Sequence, residues 1–440
     1  MNLPVVILAD RTDDDGVDLA FRELYYVSML ERHIRNFAFL GTEKITVITG
    51  PGEARTRMNA FIEALDRTWF ESTYPVDVVG PDDVGAYPSN QEDGSYLVID
   101  AHHLYDQRAL DAVVTSDPDV LLVDVDATTT HHASEPCHLA ILSLESMKAH
   151  LTDWQGSAIF WNQLTTQRRN AQCRTLNIRD IDPYIINLRR SIAPYWLPVL
   201  AASDVETGEG YLIDAAQKGT LDFPARYLHP PFENWMTRYV ARFPWMSPNF
   251  ITTATNVVAF ITTALLAIGD IGLGLFLAAV VGVLDGVDGK LARTTVRCTV
   301  FGDRYEHILD NVYELSWYWA LGWAFSNGGV DTYPLVLSGL MTIFYILDRG
   351  FTGGFKYFKS IELFDYAPID RFFRQIGSRR NINILMMIVG TAAFVPYYTY
   401  ETVVGWMAFT ALFHGVRAAW IGLLSSRSDR IVESVGDARP

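Results

Sequence analysis

The stretch that decides the fold of the second half of the chain is LDGVDGKLARTTVRCTVFGDRYEHILDN, residues 284–311. Its acids lie at or near the ends of two predicted membrane helices, and they are Asp285, Asp288, Glu306 and Asp310. Spacings of three and four residues place each pair of acids on one face of its helix. If the two helices are adjacent and turn these faces toward each other, four carboxylates converge on one small volume.

Carboxylates in a membrane helix need compensation. Each acid costs about 2.5 to 3.5 kcal/mol on the insertion scale, so four cost on the order of 10 kcal/mol when nothing balances them. Clustered oxygen ligands favour Mg²⁺ or Mn²⁺, and a pair of such ions would balance the charge. The alternative is that the acids extend to the interface and pair with Lys290, Arg293 and Arg304. That alternative does not explain why the acids repeat on one face beside Gly286 and Gly289.

Long apolar segments begin after Pro248 and predict an all-α domain of six transmembrane helices, residues 248–425. The predicted spans are residues 249–268, 271–292, 308–325, 333–347, 381–397 and 402–424. Loops without Lys or Arg alternate with loops rich in them, so the positive-inside rule places both termini in the cytoplasm. We therefore expect a multi-pass protein of the cell membrane, with a flexible tail at residues 426–440.

Residues 1–222 have the pattern of a cytoplasmic α/β domain with a Rossmann-type sheet. Apolar runs at residues 5–9, 45–49, 96–99 and 120–125 are each bounded by Gly, Pro or Asp, as in buried parallel strands. In the connecting segment, residues 223–247, Trp235, Met236, Tyr239 and Phe243 fall roughly on one helical face. This predicts an interfacial amphipathic helix leading into the membrane. The alternative is an ordinary helix packed on the soluble domain.

Charge and histidine patterns limit the ligands. The chain has 35 basic and 51 acidic residues, a formal net charge of −16, which argues against a general affinity for nucleic acid.

Two histidine pairs, His102 with His103 and His131 with His132, invite a metal interpretation. Adjacent residues point to different sides of a strand or helix, so we expect surface or capping histidines instead.

The acidic stretch resembles the signature of the CDP-alcohol phosphotransferases, also called CDP-alcohol phosphatidyltransferases. The pattern runs Asp285, two residues, Asp288 and Gly289, two residues, Ala292 and Arg293, eight residues, Gly302, three residues, Glu306, three residues, Asp310. In the preceding SPNFIT, Pro248, Asn249 and Thr252 resemble the way in which the family begins its first membrane helix. Six spans agree with the family's fold, and the resemblance covers roughly residues 226–424.

The resemblance implies an enzyme that transfers a substituted phosphate from a CDP-alcohol to an alcohol or alcohol-phosphate, releasing CMP, in phospholipid biosynthesis. It also implies a homodimer in membrane lipid. The roles that it implies are that Asp285, Asp288 and Glu306 hold two Mg²⁺ or Mn²⁺ ions, that Gly289, Ala292, Arg293, Asn249 and Gly302 line the CDP site, and that Asp310 deprotonates the acceptor hydroxyl. One position departs from the pattern, because the family's third acid is normally aspartate and here it is Glu306. The longer side chain either reaches the metal after a small helix shift or has lost one ion.

Basic residues between the later spans are candidates for the acceptor side. Some family members hold the phosphate of the acceptor with such residues, and here the candidates are Arg349, Lys356, Arg371, Arg379 and Arg380, of which Arg349, Arg379 and Arg380 are favoured. The pair Arg379 and Arg380 could clamp a phosphate through two guanidinium groups. The alternative is that these residues only set the topology and contact lipid head groups.

The soluble domain resembles the nucleotidyltransferase-like domain of bifunctional proteins of inositol phospholipid synthesis. VVILAD stands where that fold begins, and Asp100 in YLVIDAHHLYD follows a strand, like a metal-binding acid of those domains. The first strand runs into Asp10, Asp13, Asp14 and Asp15, whose charge would repel phosphates, so we expect a degenerate domain, with an active domain as the alternative. The donor is then CDP-inositol-like or CDP-diacylglycerol. Outside enzymes, the alternative is an inactive scaffold or a transporter.

Overall fold

The computed structural model describes residues 3–42, 44–65, 75–87, 94–125, 135–169, 173–186 and 188–425. Within them, an α/β sheet domain is followed by a helical domain, which confirms the predicted fold class. The His131 and His132 pair and the predicted tail at 426–440 lie outside the described residues.

The amino-terminal domain is built on a seven-stranded sheet. Its strands in chain order are β1 (Val5–Ala9), β2 (Ile45–Thr49), β3 (Val76–Val79), β4 (Ser95–Asp100), β5 (Val120–Asp124), β6 (Glu135–Ser143) and β7 (Arg174–Asn177), and they lie in the spatial order β7-β5-β6-β4-β1-β2-β3. β1 and β2 are buried along their whole length, as expected for parallel strands covered on both faces. β6 departs from the predicted pattern, because it runs antiparallel to both β4 and β5.

Helices cover both faces of this sheet. They are α1 (Met29–Phe39), α2 (Ala54–Ala64), α3 (Gln107–Val114), α4 (Leu144–Thr152) and α5 (Ser157–Arg169). The next helix, α6 (Ala202–Ala215), packs on Leu24 instead. Short antiparallel pairs join Glu23–Leu24 with Val27–Ser28, His103–Tyr105 with Trp196–Pro198, and Tyr184–Ile185 with Arg190–Ser191. Single 3₁₀ turns lie at Leu19–Phe21, Val84–Ala86 and Ile178–Asp180, and a π turn lies at Pro224–Leu228.

The carboxyl-terminal domain is helical throughout. Its helices are α7 (Pro230–Val240), α8 (Pro248–Ala267), α9 (Ile271–Thr294), α10 (Val300–Phe325), α11 (Tyr333–Lys359), α12 (Leu363–Tyr366), α13 (Pro368–Ile376), α14 (Arg380–Ala392) and α15 (Pro396–Ser425). Among the described residues, α8, α9 and α11 are long and apolar enough to cross a membrane, judged by length and composition. The count of six spans stays a prediction.

The fifth predicted span differs most from the structure. Its helix, α14, has only 13 residues, a length of about 20 Å against the roughly 30 Å of a hydrocarbon core. The predicted span ran through Pro396, but that proline instead begins the next helix. Because proline lacks a backbone N–H, it fits the first turn of a helix better than the interior. The sequence-based span therefore joined the end of one helix to the start of another.

The two domains touch at the carboxyl end of α9. Arg32 donates to the carbonyl of Thr294 at 2.6 Å, and Arg35 donates to that of Thr295 at 2.7 Å. In return, Nε of Arg293 donates to the carbonyl of Ala216 at 2.9 Å. These bonds satisfy carbonyls at a helix end that lack partners within the helix, and the positive charges suit the negative end of its dipole. The soluble domain is thereby held against the helix that carries Asp285 and Asp288.

The connecting helix α7 lies beside α9. Trp235 and Tyr239 are exposed on its outer side, and their rings stack with centroids 6.5 Å apart. Met236 does not share that face as predicted, because it packs inward against Val240 and Val287. Exposed aromatic rings at the start of a membrane domain are typical of a helix at the lipid–water interface. The interfacial position of α7 stays a prediction.

Candidate functional site

Three acids predicted to converge do so. One carboxylate oxygen from each of Asp285, Glu306 and Asp310 lies within 4.8 Å of the others. The helix pair that carries them, α9 and α10, comes together because both pack on α8. Glu306 keeps its carboxylate in this group in spite of the extra methylene. The site is therefore a compact carboxylate cluster, built from acids one helical turn apart on α10 and one acid of α9.

Arg380 pairs with two acids of this cluster. From the first turn of α14, its two terminal nitrogens reach Asp285 at 2.5 Å and Asp310 at 2.9 Å. Its side chain is only 12% exposed, whereas those of Asp285 and Asp310 are 27% and 35% exposed, so water screens these ion pairs only in part. A guanidinium shared by two carboxylates offsets part of the cost of gathering acids in a membrane domain.

Asp288 has a different environment. It is 2% exposed, accepts a hydrogen bond from Oγ1 of Thr252 at 2.6 Å, and accepts another from its neighbour's amide, Gly289 N, at 2.6 Å. It lines the same cavity as the other acids but does not belong to the group whose oxygens lie within 4.8 Å. Its role as a metal ligand stays a prediction.

The cluster opens into a cavity of about 430 Å³. The predicted CDP-site residues all line it, namely Asn249, Gly289, Ala292, Arg293 and Gly302. A Cβ on Gly302 would lie 2.8 Å from Oδ1 of Asn249, so the glycine lets α8 and α10 approach closely. A Cβ on Gly289 would likewise lie 3.1 Å from a guanidinium nitrogen of Arg293. These glycines leave room for polar side chains beside the carboxylates.

The candidate acceptor residues separate into two groups. Arg380 is occupied by the carboxylates, whereas Arg379 lies over the ring of Phe364 at 4.8 Å. Arg379 is the extended residue before α14 and Arg380 is in its first turn, and both line the cavity, so the predicted phosphate clamp by these two arginines stays a prediction. Arg349 lines the cavity with Arg379 and lies over the ring of Tyr345.

Several cavity residues were missed by the sequence reasoning. They are Lys218, Asp222, Glu314 and Arg374. Burial, with a contribution from Arg293, lowers the pKa of Lys218. Burial also lowers the pKa of Arg374 to about 9, and neighbouring Arg379 acts in the same direction. Glu314 lies one turn after Asp310 and could have been found by spacing, whereas Lys218 lies in the connecting segment, where no pattern marked it.

A second cluster lies at the edge of the amino-terminal sheet. Ligand atoms of Asp100, His102, His103 and His138 lie within 4.8 Å of one another. His102 and His103 are 2% and 3% exposed, so the prediction that they are surface histidines is wrong. Burial lowers the pKa of His102 to about 4 and that of His103 well below its ordinary value. Both rings turn toward Asp100 because they lie in the turn and the short strand that directly follow β4, not in a regular strand.

The loop after β1 is closed by its own aspartate. Asp13 Oδ1 accepts hydrogen bonds from the amides of Asp15 and Val17 at 3.1 and 2.9 Å. Its other oxygen pairs with Arg22 at 2.8 Å. The amides of Asp15 and Val17 are therefore bonded to a carboxylate. The degenerate state of this domain stays a prediction.

Comparison with known proteins extends these observations. Residues 245–351 match the family model described as CDP-alcohol phosphatidyltransferase. Two curated relatives are each described as a bifunctional IPC transferase and DIPP synthase. The protein from Aquifex aeolicus is 28% identical over 201 residues, 45% of this chain and 44% of its own length. The protein from Thermococcus kodakarensis is 28% identical over 163 residues, 36% of this chain and 37% of its own length. The chain thus spans less than half of either relative.

Solved structures also resemble part of the chain. The inositol-1-phosphate CTP transferase from T. maritima covers 46% of this chain and 91% of its own, with a TM-score of 0.33 and 9% identity. HddC from Yersinia pseudotuberculosis covers 47% of this chain and 98% of its own, with a TM-score of 0.31 and 12% identity.

Proposed function

We propose that the carboxyl-terminal part, which contains the CDP-alcohol phosphatidyltransferase domain, transfers a substituted phosphate from a CDP-alcohol to an alcohol or alcohol-phosphate and releases CMP. The observation that carries this proposal is the cluster of Asp285, Glu306 and Asp310 on the wall of a cavity of about 430 Å³ that arginines also line. A cavity lined by carboxylates and by arginines suits a diphosphate donor bound through metal and an anionic acceptor.

The donor set at the cluster fits a divalent cation. Three carboxylates gather in a small volume, and Arg380 faces two of them, so the acids carry more negative charge than this arginine neutralises. Mg²⁺ and Mn²⁺ prefer such oxygen ligands. We propose Asp285 and Glu306 as the holding residues, with Asp288 as a further ligand after a change of its side-chain rotamer. A cation bound there would neutralise the donor's diphosphate and stabilise the leaving CMP.

Asp310 is the proposed base. Its carboxylate lines the cavity and is 35% exposed, so an acceptor hydroxyl can reach it. Asp310 takes the proton of the acceptor hydroxyl while the acceptor oxygen forms a bond to the donor phosphorus that carries the alcohol. At the same time the bond from that phosphorus to the oxygen of the leaving CMP breaks. Arg380 orients Asp310 and Asp285 toward the same point. The products are CMP and the new phosphodiester.

Three further arginines that line the cavity, Arg349, Arg374 and Arg379, favour an acceptor that carries a phosphate. Arg374 and Arg379 flank the ring of Phe364 at 4.9 and 4.8 Å. Two nitrogens of Arg374, Nε and Nη1, are buried and have no hydrogen-bond partner among the described residues. Buried donors without partners are costly, and a phosphate would satisfy them. We propose that Arg349, Arg374 and Arg379 bind this phosphate.

For the soluble domain we propose a role in stability and assembly without nucleotidyl transfer. Support comes from the Asp13 contacts in the loop after β1 and from Arg32 and Arg35, which hold the domain on α9. The homodimer, the plasma-membrane location and the cytoplasmic orientation are further parts of the proposal.

CMP release from the purified full chain in lipid tests the transferase directly. The donors are CDP-diacylglycerol and CDP-inositol, each offered with free and phosphorylated polyols in Mg²⁺, in Mn²⁺ and in a chelator. We expect metal-dependent CMP release with one donor and a stronger response to the phosphorylated acceptor. No CMP with any pair, while Glu306→Asp releases it, would favour the inactive scaffold instead.

A further inference from the structure

The second cluster, at the sheet edge, does not take part in the proposed transfer reaction. Asp100 ends β4, and His138 lies directly opposite it on β6, in continuation of the antiparallel register Ile99↔Leu139. His102 and His103 follow Asp100 in the turn and short strand after β4. Ligand groups in α/β folds collect at this end of parallel strands.

The three imidazoles point at one carboxylate oxygen. Oδ2 of Asp100 lies 2.7 Å from Nδ1 of His138, 3.8 Å from Nε2 of His102 and 3.9 Å from Nδ1 of His103. The first distance is a hydrogen bond and the other two are too long for one. Four ligands about 2.1 Å from a zinc ion lie about 3.4 Å from one another, so shifts below about 1 Å would convert the cluster into a tetrahedral site.

Buried atoms without partners point to a missing ligand. Oδ1 of Asp100 and Nδ1 of His103 are buried and have no hydrogen-bond partner among the described residues. Their residues are 0% and 3% exposed. Buried polar atoms in native proteins almost always have a partner, so such a pair in one cluster needs an explanation. A metal ion at the centre would supply it.

The surroundings hold the histidines in place. His138 has a φ of +54°, a conformation that is costly outside glycine, and the register of β6 against β5 shifts beside it. Its ring stacks on Trp161 at 5.1 Å with an interplanar angle of 2°, and the ring of His103 stacks on Trp196 at 5.6 Å. Strained backbone and fixed rings are typical of positions that orient a ligand.

One cation lies close by and must be accounted for. Nη1 of Arg11 is 3.4 Å from Nε2 of His102. A guanidinium can only donate, so this nitrogen of His102 presents its lone pair, which is the form that binds a metal. Arg11 is partly exposed, and its side chain can withdraw into solvent.

We propose that Asp100, His102, His103 and His138 bind one Zn²⁺ ion in the amino-terminal domain. Three imidazoles and one carboxylate favour zinc over the Mg²⁺ or Mn²⁺ of the carboxylate cluster. The ion joins the end of β4 to β6 and stabilises this edge of the sheet. The site is independent of the proposed transferase.

Cobalt substitution tests the site in the full chain in detergent. After treatment with a chelator, the protein is titrated with Co²⁺, whose four-coordinate complexes with nitrogen ligands absorb visible light much more strongly than octahedral oxygen complexes. We expect one strongly absorbing Co²⁺ per chain, displaced by Zn²⁺. His138→Asn, which tolerates positive φ, and His103→Gln should each abolish the band. His150→Gln removes another buried histidine of the same domain, one that contacts Gln163 and Gln167, and should keep it.

Two results would overturn the proposal. One is a native protein without the strong band, and the other is a band that survives in both His138→Asn and His103→Gln. Asp285→Asn distinguishes the two clusters, because it removes a carboxylate of the membrane domain and should leave the band unchanged. A band lost in Asp285→Asn but kept in the histidine variants would assign the cobalt to the membrane domain and contradict the zinc site. Circular dichroism of each stripped variant checks that the fold is retained.

Discussion

The two clusters differ in what surrounds them. The carboxylate cluster of the membrane domain contacts Arg380 and opens into a large cavity, as a site for an exchangeable substrate requires. The histidine cluster of the sheet domain is packed between Trp161 and Trp196, and three of its four residues are buried. The two clusters have similar numbers of ligand groups but suit different functions. The carboxylate cluster, called the open site below, suits the exchange of substrates, and the histidine cluster, called the closed site, suits a permanently bound ion.

The largest expected effect comes from the open site. Asp285→Asn removes a proposed metal ligand and one of the two carboxylates that hold Arg380. We expect CMP release to fall by more than about 100-fold, the usual size of such losses. Asp331→Asn, an exposed acid in the loop before α11, is the matched control and should keep native activity. Equal activity of the Asp285 variant and this control would remove the carboxylate cluster from the reaction.

The next largest effect separates the proposed role of Arg379 from that of Arg380. Arg379→Ala should raise KM for a phosphorylated acceptor by about 10- to 100-fold with little change in kcat, since a charge-assisted hydrogen bond contributes about 1.5 to 3 kcal/mol. Lys356→Ala removes an exposed cation that pairs with Glu362 and is the control. The same rise in KM for an unphosphorylated acceptor would contradict a phosphate site at Arg379.

Close packing behind the open site predicts a loss of stability. A Cβ on Gly286 would collide with the carboxylate of Glu233, which is buried and paired with Lys290 at 2.8 Å. Gly286→Ala should therefore separate α7 from α9 and cost about 1 to 3 kcal/mol, measured as a lower unfolding temperature in detergent. Gly339→Ala, where nothing lies within 4 Å of the added Cβ, should be neutral or slightly stabilising. Equal behaviour of both variants would show that the Gly286 contact is not tight.

The smallest expected effect is a loss of stability of the amino-terminal domain at acid pH. Burial lowers the pKa of His33 to about 3, whereas unfolding returns it to about 6.5. The unfolded chain binds the proton first, so stability falls as the pH drops below about 6.5, by about 1 kcal/mol at pH 5.5 for this histidine. Unfolding of chelator-treated protein by denaturant at pH 7.5 and 5.5 measures the difference. His33→Phe should reduce this pH dependence, and an unchanged dependence would assign it to other groups.

Sequence reasoning succeeded where the contacts are set within helices. The spacing of Glu306 and Asp310 fixes one helix face, and pairing with the face of Asp285 then needs only two adjacent helices. It failed for the histidines because their meeting depends on the register between β4 and β6 and on the positive φ of His138, which no local pattern reveals. It also failed for Lys218, which reaches the cavity through the docking of a whole domain.

The predicted helix ends were likewise correct only where local sequence marks them. The spans beginning at residues 249, 271 and 333 start within one residue of α8, α9 and α11, because apolar composition and proline mark those positions. The break between α14 and α15 was predicted at residues 398–401 but lies at residues 393–395, since the apolar run continues through Ala393 and Val395 and hides the turn. Apolar composition predicts that a segment lies in the membrane, but it does not predict where the chain turns. The turn depends on backbone conformation, here a φ of +62° at Phe394.

The measurement that tests the central claim most directly is CMP release by the native chain and by Asp310→Asn, side by side in lipid with Mg²⁺ or Mn²⁺. The proposed mechanism predicts metal-dependent release by the native protein and a loss of about 100-fold or more in the variant, because the acceptor hydroxyl loses its base. Native-level release by Asp310→Asn would contradict the assignment of this carboxylate, and with it the reaction proposed for the cavity.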